Sequence, residues 1–398
     1  MKKIFLYIIL FFAGIQAVQA QLNNEWIDYS KTYYKFLVAS DGMHRISKTT
    51  LDSWGIGNSQ AQHFQLWRNG VEVPLYTSVA TGALAPDGFI EFIGRKNDGR
   101  PDRSLYLLPA YQLSDKQSLF TDTAAYFLTV NTAAANQRFT SVNNDLSGVL
   151  PAPVPYLIHT VRHDYKKANG GVYINKGFAV NYGEYVYSSS FDIGEMLSSE
   201  EIYPGGANSN ISAVFGNLQA AVNTGLNARV RVSWAGSSPG TRDVTLTIGS
   251  TSLITRRISG FQAFRDSNIS VNASELTAAN LTLAVNNMST NVNDRFVAGF
   301  CEIEYPRLPN AGNTGFFESS IPSSTGNTLL QIAQFKHDGT APVLYNLSSG
   351  YRMTGNIDGN GNVRFLLPPS AQRQFFVVTT YTGSFFTNVN RGNAKQFL

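Results

Sequence analysis

Apolar and polar residues alternate along most of this chain, and the runs are short and cut by Gly, Asn, Asp and Pro. Alternation with period two places successive side chains on opposite faces of a strand, so the pattern predicts a β protein. Tyr34 to Val38 and Met43 to Ile46 read as strands around an Asp41-Gly42 turn. Phe64 to Arg68 and Val71 to Leu75 flank Asn69-Gly70, the strongest short hairpin signal. Phe89 to Gly94 and Tyr126 to Val130 are further strands. One helix is predicted, with Ser47 as N-cap, Leu51 and Trp54 on one face and Gly55 as the stop.

Past Pro151, Pro153 and Pro155 the strands are evenly spaced: Ala228 to Trp234, Asp243 to Ile248, Ser252 to Ile258, Ile269 to Val271, Leu281 to Val285 and Arg295 to Tyr305. Regular short strands of this kind predict a jelly-roll-like sandwich. Thr328 to Phe335, Val343 to Asn346, Tyr351 to Ile357, Asn362 to Leu367 and Gln374 to Thr379 predict a small immunoglobulin-like sandwich. The expected fold class is therefore all-β with tandem β-sandwich domains. The expected divisions are 1–20, an N-terminal β domain over 21–150, the jelly-roll-like domain over 151–310 and the immunoglobulin-like domain with its tail over 311–398.

Residues 1–20 read as a secretory signal peptide. Lys2 and Lys3 precede an apolar run from Ile4 to Ile15, and Val18 and Ala20 place small residues before a cut between Ala20 and Gln21. The run is too short to span a bilayer comfortably, and no later run is long enough. The expectation is export, to the periplasm, the outer-membrane surface or the medium. Cleavage would remove two lysines and leave 29 basic against 27 acidic side chains, since the whole chain has 31 and 27.

Composition agrees with a β protein: 43% hydrophobic residues, 12% aromatic, 34 Gly and only 15% charged. The few basic residues form no cluster, which argues against a nucleic-acid partner. A single Cys excludes an intrachain disulfide framework and CxxC-type metal or redox sites.

Candidate chemistry is sparse. Cys301 lies mid-strand in Phe300 to Tyr305, sharing a face with Ile303 and Tyr305, where a buried, inert thiol is expected. His159 and His163 share a strand face but sit about 13 Å apart at roughly 3.3 Å per residue, too far for one ion. Asp358 opens an Asp-Gly-Asn-Gly-Asn turn that resembles the start of a calcium loop but lacks the distal Glu. Asp98 and Asp102 form a second weak candidate pair for a cation, calcium being the ion such oxygens would take. Trp54, Trp67, Trp234, Tyr182, Tyr185 and Tyr187 could face a glycan or fill cores. Six Asn-X-Ser/Thr positions, Asn210, Asn268, Asn272, Asn280, Asn287 and Asn346, are read as polar strand and turn residues. No nucleophile elbow, P-loop or His-Glu-x-x-His is present.

Several stretches, in order, resemble one family. They are Asp41-Gly42-Met43-His44-Arg45-Ile46-Ser47, Arg68-Asn69-Gly70-Val71-Glu72-Val73-Pro74-Leu75, and Asp87 to Gly94 followed by Asn97-Asp98-Gly99 and Asp102. Phe120-Thr121-Asp122 with Tyr126-Phe127-Leu128, and Glu302 to Arg307, complete the set. Together they resemble the N-terminal β-sandwich region of gingipain-type cysteine peptidases, particularly PorU-like sortases of the type IX secretion system. The resemblance implies that a caspase-like peptidase domain with a His–Cys dyad follows the sandwiches. No parallel βαβ pattern occurs before Leu398, and none of the five histidines stands in a catalytic-looking setting. The family's catalytic residues therefore map to no position here.

The expectation is an exported, non-catalytic scaffold or docking region whose partners are a peptidase domain or type IX secretion components. The alternative is a carbohydrate-binding surface protein using the jelly-roll block. A weaker third class is a hydrolase with a site assembled from loops. Phe385 and Phe386 are the expected interaction residues, in an apolar patch over 375–398.

Overall fold

The computed structural model describes residues 24–133, 135–168, 171–176, 191–205, 209–381, 386–389 and 395–397. The expected signal peptide, Tyr182, Tyr185, Tyr187 and Phe385 lie outside them.

The protein is all-β, built as packed sheets. In the first block, strands Tyr33–Val38, Ala124–Val130, Phe64–Arg68 and Val71–Val73 form one sheet, and Gly42–Ser47, Phe89–Gly94 and Tyr76–Thr77 form the other. Their inward positions, among them Phe36, Phe64, Leu66, Ile90, Phe92, Tyr126 and Leu128, make one core. The helix spans Lys48–Ser53; the Ser47 side chain accepts from the Thr50 N–H, and Leu51 is fully buried. The hairpin turns through Asn69 at φ 50° and Gly70 at φ 73°, the left-handed pair that a type I′ turn demands.

In the second block, strands Asn210–Gly216, Asn280–Asn287, Thr241–Ile248 and Thr251–Ser259 form a four-stranded sheet. It packs on Ala263–Asn272, Asn227–Gly236, Phe296–Arg307 and Leu157–Asp164 around Trp234, Val230, Leu246, Phe296 and Ile303. The strand expected at Ile269 to Val271 runs from Ala263 to Asn272. The polar residues Arg265, Asp266 and Asn268 hide its length from an apolar pattern.

The third block sets Asn310–Thr314, Thr328–Phe335, Val363–Leu367 and Asn356–Ile357 against Phe316–Ile321, Gln374–Thr379, Val343–Asn346 and Tyr351–Thr354. Leu330, Ile332, Phe365, Phe376 and Val378 fill the space between.

The larger sheets of the second and third blocks are one nine-stranded sheet. Leu157–Asp164 adjoins Phe316–Ile321 in it, and Thr140–Val142 closes its far end in parallel with Tyr351–Thr354. The sheet thus runs across residues 150 and 310. The tail returns to the first block: Phe386–Asn388 pairs in parallel with Met43–Arg45, and Lys395–Phe397 pairs antiparallel with Tyr33–Lys35. Of the expected apolar patch, Phe376, Val377 and Val378 are fully buried, because Phe376 and Val378 face the third-block core and Val377 packs on the other face with Phe139 and Tyr345; Phe375 is half exposed. Among the described residues, no helix is long and apolar enough to cross a membrane.

Candidate functional site

Cys301 sits in the centre of the long strand Phe296–Arg307, with no exposure. Burial pushes its thiol far above the ordinary range, with Glu302 adding to the effect. His163 stands opposite it in register, but its ring packs edge-on to Tyr165 at 4.8 Å. Burial lowers the His163 pKa. A thiol that resists ionisation is the reverse of an activated nucleophile. His159, four residues back on the same face, stacks on Phe317 at 5.6 Å and meets the edge of Tyr305 at 5.9 Å. Burial, helped by Arg307, lowers its pKa to about 4.

The acidic candidates are occupied by protein donors. Asp102 is buried and accepts from Ser118 Oγ at 3.0 Å and from the Leu119 N–H at 2.7 Å, so both oxygens clasp the following loop. Gly99 is required beside it: its φ is 74°, and a Cβ would lie 2.1 Å from the Gln117 carbonyl oxygen. Asp98 faces Arg68 at 3.4 Å and Arg100 at 3.6 Å. Asp358 folds a hairpin turn by accepting from the N–H groups of Asn360 and Asn362, both at 2.9 Å. Among the described residues, no group of three or more His, Cys, Asp or Glu side chains is placed to hold a metal. Asn287 and Asn346 are buried and donate to neighbouring oxygens, so neither is open to a glycan.

The strongest electrostatic feature is a seam between blocks, which the sequence reading missed. Asp115, on a first-block loop, meets Arg265 at 2.7 Å, Arg231 at 3.0 Å and Arg162 at 3.2 Å, all on the outer face of the jelly-roll sheet. Burial opposes its charge, and Arg265, Arg162 and Arg231 outweigh that, holding the carboxyl below its usual range. Glu302 is buried in the same network and pairs with Lys116 at 2.8 Å, with Arg162 at 3.4 Å and with Arg231. The Arg162 guanidinium lies 3.7 Å from the centre of the buried Phe300 ring. Tyr106 adds a hydrogen bond of 2.7 Å to the Glu195 carbonyl.

The first and third blocks are joined in the same manner. Glu91 has no exposure; it accepts from Arg45 and, at 2.8 Å, from the Tyr345 hydroxyl. Tyr345 in turn accepts from Arg352 Nε at 3.1 Å. Arg95 forks onto Glu318 with contacts of 2.7 and 2.6 Å. The one signal in the sequence is charge placed at strand positions in a charge-poor chain.

The aromatic candidates separate. Trp234 is core, and Trp54 stacks on Tyr34 at 5.8 Å. Trp67 packs with Trp26 at 5.4 Å on the outer face of the first sheet. Trp26 and Phe127 line a groove of about 890 Å³ there, with Glu25, Asn69, Arg100 and Arg103. In the jelly-roll block, the described exposed large hydrophobics are Val214, Val222, Leu226, Met288, Val292 and Leu308, none of them aromatic.

Among solved structures, the chain is similar to dimeric latent PorU from Porphyromonas gingivalis, with a TM-score of 0.51 and 12% identity over 87% of this chain. It spans 32% of that protein's length. The chain has a PorU-like, β-rich fold. Two carbohydrate-binding modules are also similar over part of the chain. One is a CBM36 module in complex with calcium and xylotriose; the other is a CBM36-1 domain of a multidomain xylanase from the hindgut metagenome of Trinervitermes trinervoides. Each has a TM-score of 0.23 over 36% of this chain, with 16% and 13% identity and coverage of 98% and 96% of the modules. Likeness at that level carries no functional argument. No family model and no curated protein matches the chain.

Proposed function

We propose that the chain is an exported, non-catalytic scaffold and docking region of a gingipain-type, PorU-like protein, presenting a fixed β surface to a peptidase domain or to type IX secretion components. The observation that carries this reading is the seam. Two sandwiches share one sheet and the first block packs on it, with Glu91 and Glu302 buried and Asp115 half-buried at the junctions, so the charged residues orient blocks against one another. Cys301 is held as a core thiol, which supports a region without a nucleophile of its own.

The test has two arms. Purified residues 21–398 are incubated with Arg, Lys and generic peptide substrates, and no turnover is expected. The same protein is then titrated with a separately expressed gingipain-type peptidase domain in an ultracentrifuge, where a defined complex is expected. Turnover abolished by Cys301→Ala would overturn the non-catalytic reading, and failure to sediment together would overturn the docking one.

A second reading, saccharide binding, is supported by the Trp26–Phe127 groove of the first block and not by the jelly-roll block. Aromatic faces beside Arg and Asn are the chemistry that stacks and hydrogen-bonds a sugar ring. Calorimetric titration with neutral and uronic-acid oligosaccharides tests it, with Trp26→Ala expected to abolish any heat of binding.

A further inference from the structure

The tail of the chain folds back onto its first block. Phe386–Asn388 is the outer strand of one sheet, beside Gly42–Ser47, and Lys395–Phe397 is the outer strand of the other, beside Tyr33–Val38. Val389, which follows the first of these strands, is 5% exposed and belongs to the first-block core. Its N–H donates to the Arg45 carbonyl at 2.9 Å. One tail therefore closes both sheets of a sandwich whose other described strands all lie between Tyr33 and Val130.

The hold on this tail is slight. Each of its strands meets its neighbour over three residues, Tyr33–Lys35 in one sheet and Met43–Arg45 in the other. On their inner sides the same neighbours pair further, Tyr34–Val38 with Ala124–Leu128 and Gly42–Ser47 with Phe89–Gly94. An element with short pairing and few buried apolar side chains opens before the body it rests on.

Opening the tail does not part the blocks. The chain is anchored just before it, where Arg352 donates to the Tyr381 hydroxyl and the Arg45 guanidinium lies 4.8 Å from the centre of the Tyr381 ring. The Glu91–Tyr345 and Arg95–Glu318 contacts also lie outside the tail. Its loss bares two sheet edges and the recess that Val389 fills.

We propose that the strands Phe386–Asn388 and Lys395–Phe397 are an exchangeable latch, and that the two edges beneath them accept the same strands from a second copy of this chain. Bared edges recognise an extended main chain, and the recess selects an aliphatic side chain placed as Val389 is. Pairing is parallel on one edge and antiparallel on the other, with that side chain against the core. The segment that meets all three conditions is this chain's own tail, which makes a second copy the occupant. The contacts within one copy and between two are the same, so concentration decides between them. The inference goes beyond the scaffold reading and does not rest on it.

Amide exchange on the whole mature protein tests the latch. Thr387, Asn388 and Val389 are expected to exchange together, at least a hundredfold faster than the central strand Ala124–Val130; exchange of both at one rate would overturn release. A fluorescein-labelled peptide of residues 384–398 tests the acceptor by anisotropy. Saturable binding to a variant ending at Tyr381 is expected, at least tenfold tighter than to the whole protein, whose own tail competes. The peptide carrying Val389→Asp should bind at least tenfold more weakly, and exchange at Tyr33–Lys35 and Met43–Arg45 should slow in the complex. Equal affinity for the two proteins, or protection confined to other strands, would overturn the acceptor site. Should the shortened variant fold poorly, sedimentation of the whole protein decides: a dimer that grows with concentration is expected, and a monomer throughout would overturn exchange between copies.

Discussion

The Glu91–Tyr345 contact joins residues 254 positions apart and reports directly on whether the first and third blocks unfold as one body. Tyr345→Phe removes a hydroxyl that donates to a fully buried carboxylate at 2.8 Å and accepts from Arg352 at 3.1 Å. A hydrogen bond to a charged partner contributes about 1.5–3 kcal/mol, and stranding a buried acceptor costs more than an average bond returns. The expected loss is therefore about 2–3 kcal/mol. Glu91→Gln keeps the shape but leaves Arg45, whose side chain is about a quarter exposed, without its carboxylate; about 2 kcal/mol is expected there. The pair is read as a double-mutant cycle by urea unfolding, followed by fluorescence. If the contact is made, the double variant is more stable than the sum of the single losses predicts, by about 1.5 kcal/mol. Additivity within about 0.3 kcal/mol would refute the contact. A biphasic unfolding curve in the parent protein would refute the single body.

Cys301 should resist a thiol reagent in the folded protein and react after denaturation, and Cys301→Ala should cost about 1 kcal/mol; rapid native labelling would contradict its place in the core. His159 makes stability depend on acid. Its pKa falls from near 6.5 to about 4 on folding, so between those values the unfolded chain binds the extra proton and stability drops as pH falls. About 2 kcal/mol should be lost by pH 4.5, after allowing for partial exposure, and His159→Phe should abolish that share of the slope in urea titrations at pH 7 and 4.5. Deleting residues 382–398 removes the strands paired with Tyr33–Lys35 and Met43–Arg45. Amide exchange at those two edges should rise and the protein should self-associate in light scattering; unchanged exchange would deny the pairing.

Local features were legible because a few neighbouring residues determine them. Ser47 caps the helix through a side chain three positions from its donor, and Asn69-Gly70 supplies the left-handed angles of its turn without outside help. The alternation that put Cys301, Ile303 and Tyr305 on one face needs only the pleat of a strand. What escaped the reading depends on distant partners. Asp98 and Asp102 look alike whether their oxygens face an ion or a peptide N–H. The deciding donors for Asp102, Ser118 and Leu119, lie 16 and 17 residues further on. Asp115 belongs to a loop with no period to read, and its three arginines come from three different strands. The joining of two sandwiches through Ile158 and Ser320 rests on a single register pair, which leaves no pattern in either segment.

The chemistry of the seam bears on what the molecule is built to do. Replacing buried ion pairs by apolar side chains is often neutral or stabilising, so adhesion between blocks alone does not require Asp115, Glu302 or Glu91. Such groups do penalise every arrangement that leaves one of them buried and unpaired, by about 3–5 kcal/mol for a fully desolvated partner. A slide of the first block across the jelly-roll sheet would part Asp115 from Arg162, Arg231 and Arg265, and Lys116 from the buried Glu302. A rotation against the third block would take the Tyr345 hydroxyl away from the buried Glu91 and leave it Arg45 alone. The two contacts lie at separate strands of the nine-stranded sheet, Leu157–Asp164 and Val343–Asn346, so together they restrict both motions. The Trp26–Phe127 groove belongs to the first block, and a second cavity lies where Arg95 and Lys116 of that block meet the shared sheet. The orientation that satisfies the seam therefore also fixes where these two surfaces stand, which is the property a docking region needs and a hinged array of sandwiches would lack.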